Sequence, residues 1–218
     1  MATRAGQDGL SRDRIVATAI EILDAAGESG LTFRALGTRL STGPGAIYWH
    51  VANKDELLAA ATGAVLADVL GGDEADIAPA DAIRAIALGM FDAIDAHPWI
   101  GYQLAGLASR SASLRIIERI GQQVQALGVP GDGQFFATSA LFSYILGVAG
   151  QNAANARSRA PGGSRDELLG AEAELWAGLD AAEFPFLRGV AAQMGDHDDR
   201  EQFLAGIDLI LAGMGAVR

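Results

Sequence analysis

The 218 residues carry a net charge of −11, and half of them are hydrophobic against a fifth that are charged. That balance supplies a sizeable core, excludes wholesale disorder, and excludes a protein that coats nucleic acid or anionic membrane with its whole surface. The sequence has no cysteine, which excludes disulfides and thiolate metal sites and agrees with a reducing cytoplasm.

Charge is unevenly spread: residues 1–56 sum to −1 and residues 57–218 to −10, so an anionic partner belongs with the N-terminal quarter. The start, MATRAGQDGLSRDR, is charged and lacks an apolar stretch, and no secretory signal is expected. Ser11 suits an N-cap and Asp13 the positive end of a first helix, in which Ile15, Ala19, Ile22, Leu23 and Ala26 share a face. Gly27 and Gly30 stop it. Thr32 caps a short second helix, Phe33 to Leu40, with Phe33, Leu36 and Leu40 inward and Arg34 and Arg39 outward. Ser41, Thr42 and Gly43 form a tight connection. Pro44 then opens a third helix reaching His50, because a first-turn proline lacks only an N–H that would be unpaired anyway. Asn53 starts a fourth, with Glu56 as its capping-box partner and Leu57, Leu58, Ala61 and Val65 running toward the rest of the protein.

Gly71-Gly72-Asp73-Glu74 and Pro79 interrupt the pattern. Beyond them, apolar spacing of three and four predicts helices at about 79–95, 98–108, 111–127, 132–158, 165–177, 183–194 and 199–216. No sustained alternation predicts a strand, so the fold class is all-α. The run from Arg157 to Arg165, with Pro161 and two glycines, reads as a mobile loop. Gly133 to Ala156 carries no charge over 24 residues and is long enough to span a bilayer. Its Gln134, Thr138, Ser139, Ser143, Gln151, Asn152 and Asn155 instead favour a helix buried between other helices, and no membrane partner. Inside it, Gly147 and Gly150 each cost about 1 kcal/mol of helix propensity and point to close helix approach, at a dimer interface or around a ligand.

Two short helices joined by a tight turn and braced by a longer first helix form the arrangement that lays a recognition helix in the major groove. Ile47 and Val51 supply the buried face of the third helix. Tyr48 and His50 are thereby free to donate to phosphate oxygens, with Trp49 between a core and a phosphate-flanking role. Lys54 adds charge at the start of the fourth helix, beside that helix's own N–H groups. Base reading falls to Arg34, whose guanidinium fits O6 and N7 of guanine, and to residues near the start of the third helix.

The segment LTFRALGTRLSTGPGAIYWHVANKDELL resembles the signature of tetracycline-repressor (TetR) family regulators, most specifically in YWHV-x-NK-x-x-LL, Tyr48 to Leu58. FLAGIDLILAGMG, Phe203 to Gly215, is similar to the last dimerisation helix of the tetracycline-repressor-like branch. The resemblance implies a cytoplasmic homodimeric transcriptional repressor, not an enzyme. Such a protein binds a palindromic double-stranded DNA operator and is released by a small apolar effector that swings the fourth helix. It implies a helix-turn-helix DNA-binding domain over 1–56 and a larger helical effector-binding and dimerisation domain over 57–218, with dimerisation on the long helix near 132–158 and the last helix. It puts Arg34, Pro44 and Ala46 at base-facing positions; Thr32, Thr42, Gly45, Tyr48, Trp49, His50 and Lys54 complete the expected DNA-binding set. Family members often carry polar side chains where this chain offers Pro44, Gly45 and Ala46. Readout is therefore expected to lean on Arg34, on methyl contacts to thymine and on DNA shape.

Eleven of the 14 aromatic residues fall in 57–218, as an apolar cavity with a few convergent polar groups would require. Effector-pocket candidates are Phe91, His97, Trp99, Tyr102, Gln103, Phe142, Ser143, Gln151, Asn152, Asn155 and Trp176. The tetracycline-responsive members hold drug-bound magnesium with His and Glu; an approximate alignment puts Leu104 or a neighbour and Gln151 there, so that effector is not expected. Three histidines, no cysteine and no Glu-x-x-His spacing argue against a metal, a cofactor or a catalytic site. Asp196-His197-Asp198-Asp199 reads as a solvated loop. The alternative function is a helix-turn-helix regulator that answers to a protein partner or to no ligand.

Overall fold

The computed structural model describes residues 10–72, 77–105, 110–158, 165–195 and 197–216. These residues form twelve helices: α1 Arg12–Gly30, α2 Phe33–Arg39, α3 Pro44–Tyr48, α4 Lys54–Val65, α5 Ala67–Gly71, α6 Pro79–Ala96, α7 Trp99–Ala105, α8 Arg110–Ala126, α9 Gly131–Ser158, α10 Arg165–Gly178, α11 Pro185–Gly195 and α12 Asp199–Ala216. The all-α class is as expected. The loop expected from Arg157 to Arg165 lies, over 159–164, outside the described residues, as do Asp73, Glu74 and Asp196.

The N-terminal helices start where their capping side chains dictate. The Ser11 hydroxyl accepts from Arg14 N–H, that of Thr32 from Ala35 N–H, and the Asn53 carboxamide from Glu56 N–H. Gly27, at φ +64°, does not end α1 but kinks it, and one further turn carries the chain to Gly30. The third helix is shorter than expected: the N–H groups of His50 and Val51 both turn back to the Ile47 carbonyl, at 2.9 and 3.1 Å, which closes α3 at Tyr48. α4 also stops early. Leu66, fully buried at φ −88° ψ 8°, breaks the helical path, and α5 follows as a single turn.

One apolar core runs from Ile15 to Met214. Its centre is α6, which buries Ile83, Ile86, Met90, Phe91 and Ile94 against α8, α9 and α12. Phe203 of α12 is fully enclosed, 4.8 Å from Phe91 and 5.7 Å from Tyr144 between ring centroids, and the Tyr144 hydroxyl donates to the Phe203 carbonyl at 3.1 Å. Salt bridges Arg84–Asp208 and Arg200–Asp92, each 2.7 Å, fasten the rim of the α6–α12 contact.

α9 departs from expectation. Among the described residues it is the one helix long and apolar enough to cross a membrane, yet only 22% of its apolar window is buried, so it is not enclosed on all sides. Leu141, Ile145, Ala149 and Ala153 face the core, while Phe136, Ala140, Ser143 and Gly147 are exposed. The last two helices before α12 stand apart: α10 and α11 pack chiefly on each other, and between them bury only Ala191.

Candidate nucleic-acid interface and helical cavity

The head of the molecule is built around Ile47 and Val51, exposed by 0% and 1%, which join the same core as Leu36, Leu57 and the α1 stripe. Because those two side chains take the inner face, the intervening ones face out: Tyr48 is 53% and Trp49 90% exposed, and His50 is half-buried. Trp49 thus stands outside the core. Tyr48 does not wave freely, since its ring stacks on Phe33 of α2 with centroids 4.3 Å apart and planes at 7°. The stack fixes the phenol against α2, the helix that carries Arg34; Thr32, Arg34, Pro44 and Gly45 are exposed and Ala46 is half-buried.

Arg34, Thr42 and Pro44 border a shallow concavity between α2 and the turn. Arg34 is exposed and, among the described residues, has no ion-pair partner, whereas Arg12 and Arg39 are engaged with Glu56 at 3.0 Å and Glu21 at 3.3 Å. Glu56 also accepts from Ala52 N–H at 2.8 Å, one residue before the cap rather than at it. That N–H first, and the Arg12 guanidinium second, hold the Glu56 carboxyl below its usual range. Lys54 is tethered: its ammonium donates to the Glu28 carbonyl at 2.7 Å and lies 3.6 Å from the Glu28 carboxylate.

In the larger part of the chain, a cavity of about 500 Å³ lies between the α10–α11 hairpin and the α9 and α12 faces. Of the eleven pocket candidates it brings together four, Gln151, Asn152, Asn155 and Trp176. The others lie elsewhere. Phe91 is in the core against Phe203, and Phe142 packs on the core's edge. Tyr102, 70% exposed, and Ser143 face outward. His97 Nδ1 and Trp99 Nε1 meet the Asp24 carboxylate at 2.8 and 2.7 Å, and Gln103 Nε2 donates to Glu28 at 3.0 Å, so these three bind α7 and its approach to the end of α1.

Gln193 of α11 and Gln202 of α12 also line the cavity and were not singled out from sequence; Phe186 of α11, His197 before α12 and Asp199 of α12 line it too, the first read only as one of the aromatic residues of 57–218 and the other two as part of a solvated loop. Amide spacing on α11 and α12 held the only signal for the two glutamines, without indicating which face would meet α9. The tetrad containing His197 is not a free solvated loop over its described part. Asp199 joins His197 Nε2 at 3.0 Å and Arg165 at 2.9 Å.

With this geometry the chain was compared with known proteins. Residues 15–61 match the family described as bacterial regulatory proteins, tetR family, and residues 79–218 match the tetracyclin repressor-like C-terminal domain. A transcriptional regulator of Streptomyces coelicolor, itself a TetR, is 54% identical over 95% of this chain and 99% of that one, with a TM-score of 0.85. ActR of the same organism, solved in complex with (S)-DNPA, is 25% identical over 96% of this chain and 98% of that one, TM-score 0.73. BioQ of Mycobacterium smegmatis is 26% identical over 96% of this chain and 100% of that one, TM-score 0.68. BioQ has also been solved with its double-stranded DNA operator. The matched stretches take in both the α2–α3 head and the helices around the cavity, and the chain belongs to the tetR family of bacterial regulatory proteins, transcriptional regulators rather than enzymes.

Proposed function

We propose that the protein is a cytoplasmic repressor that binds a palindromic operator as a homodimer and is released by a small effector held in the α9–α12 cavity. The observation that carries this reading is the outer face of α2 and α3. Arg34, Tyr48 and Trp49 project from it together because Ile47 and Val51 are buried beneath. Tyr48, Trp49 and His50, with Thr32 at the α2 N-terminus, supply the backbone clamp, and Arg34 reads a guanine. Pro44, Gly45 and Ala46 offer close approach and methyl contact, and Thr42 flanks them. Lys54 keeps two protons for a phosphate while its third stays on Glu28.

Residues 1–56 form the reading head in this proposal and 57–218 the sensing and dimerising part, with α4 crossing between them. Two protomers meet on exposed stripes whose steps alternate four and three: Phe136, Ala140, Ser143 and Gly147 of α9, and Ala205, Leu209 and Ala212 of α12. A Cβ at Gly147 or Gly213 would touch nothing within 4 Å, which leaves room for a neighbouring helix. ActR with its small molecule and BioQ with its operator support the effector and the DNA, respectively.

Titration of the full chain against a palindromic duplex from upstream of its own gene, followed by fluorescence anisotropy, tests the proposal. Affinity should fall linearly on a log–log scale with salt, as phosphate contacts demand. Binding that is absent, or indifferent to salt, sinks it.

A further inference from the structure

We propose that the α9–α12 cavity takes an uncharged, flat, aromatic compound bearing several hydroxyl and carbonyl groups, an inference that rests on this cavity being the effector site. Charge selects first. Asp199, an acid in the lining, is already met by Arg165 at 2.9 Å and by His197 at 3.0 Å, and Arg165 donates onward to the His197 carbonyl at 2.8 Å. The carboxylate therefore offers little to a cationic ligand; the guanidinium, whose Nη2 is paired with Asp199 by charge but makes no hydrogen bond among the described residues, lies outside the cavity lining and so offers little to an anionic one. Among the described residues no group of three acidic or histidine side chains stands together to hold a metal.

Hydrogen-bonding capacity selects next. Five carboxamides line the cavity, Gln151, Asn152, Asn155, Gln193 and Gln202, and among the described residues none of their side chains is bonded to another group of the chain. Each presents an acceptor and two donors, so together they match a ligand that both gives and receives hydrogen bonds. A hydrocarbon chain would displace their water and return nothing. The expectation of a purely apolar effector is narrowed accordingly.

Shape selects last. Trp176 already gives its indole N–H to Glu172 at 2.8 Å, so it presents ring surface alone to the cavity. Phe186 lines the same space, and aromatic walls favour stacked or edge-on rings over flexible chains. A volume of about 500 Å³ admits a compound of several fused rings.

The full chain, free and on its operator duplex, is titrated with genistein and 1,8-dihydroxyanthraquinone as uncharged hydroxylated ring systems, with palmitate as an anionic chain, and with magnesium-bound tetracycline. Binding is read as quenching of Trp176 fluorescence, with Trp176→Phe as the control that removes the signal, and as a rise in melting temperature. Release of the operator is read separately by anisotropy. The expected result is binding by the ring compounds alone, weakened about ten-fold by Asn155→Leu or Gln151→Leu. Those side chains are exposed, so the melting temperature of the free variants should stay unchanged. Tighter binding of palmitate or magnesium-tetracycline, or no binding of either ring compound, overturns the ligand class whatever happens at the operator. Ring-compound binding that leaves the operator bound upholds the class and overturns the effector reading instead.

Discussion

Gly37 shows how little room the head leaves for change. A Cβ there would stand 2.8 Å from the Thr42 carbonyl oxygen, while Thr42 N–H bonds the Gly37 carbonyl at 2.9 Å, so the turn closes directly onto the bare α-carbon. Gly37→Ala should push α3 off α2, destabilise by about 1–3 kcal/mol and weaken the operator complex; an unchanged melting curve would refute that. In the proposed operator complex Arg34 and Lys54 divide recognition between them. Arg34→Ala should relax preference at one base pair with stability untouched, since Arg34 is exposed and unpaired among the described residues. Lys54→Ala should weaken all sequences alike and flatten the salt slope by about one unit. Because Lys54 also holds Glu28, it should lower the melting temperature as well. Equal losses of specificity in both variants contradict this division. Glu56 adds a pH dependence. Its pKa is depressed, so its contribution is present above the ordinary value and is lost as pH falls through the folded one. The acid-side decline in melting temperature should thus set in below about 4.5 and be smaller in Glu56→Gln, which a pH series of thermal melts measures.

Among elements, the junction of α1, α4 and α7 joins the head to the body through two carboxylates. Asp24 takes His97 and Trp99, and Glu28 takes Gln103 beside Lys54. Gln103 is 6% exposed, so Gln103→Leu keeps its volume and leaves Glu28 short of a donor in a partly closed site. The expected cost is about 0.5–1.5 kcal/mol, visible as faster amide exchange in the last turn of α1; exchange at the wild-type rate would show that the joint is not held there. These residues also mark what sequence pattern conveys and what it does not. The helices of the head were legible because Ser11, Thr32 and Asn53 cap them by local geometry, and every helix from α6 onward was legible from three- and four-residue spacing. The break at Leu66 was not, because an apolar residue in an apolar run carries no stop signal, and Leu66 is fully buried where the path breaks. Of the cavity, the α9 amides and Trp176 stood out by composition. His97, Trp99 and Gln103 carry the same composition yet serve α1, a partnership between residues more than 70 positions apart that no local pattern encodes.

At the scale of the whole molecule, charge and apolar surface are partitioned in ways that limit how it assembles. The head is near neutral and the remainder carries −10, a field that disfavours DNA along the body and suits the proposed docking through the α2–α3 face. The same acidic body keeps one face of α9, uncharged over 133–156, and part of α12 outward, with Phe135 and Phe136 exposed by 74% and 71% and Leu209 by 76%. Exposed apolar side chains of that kind are where the second protomer of the proposed dimer would dock. Because two-fold contacts are self-complementary, one substitution acts twice at the interface. Leu209→Glu places two carboxylates in the joint of the proposed dimer and disturbs nothing within one protomer, where Leu209 already faces solvent. Sedimentation velocity should then report a monomer. Any loss of melting temperature should be confined to what dimerisation contributed, and therefore depend on protein concentration in the wild type alone. Operator affinity should fall steeply, because a single head holds one half-site without the second to raise its effective concentration. A variant that still sediments as a dimer would mean that the protomers meet on another face.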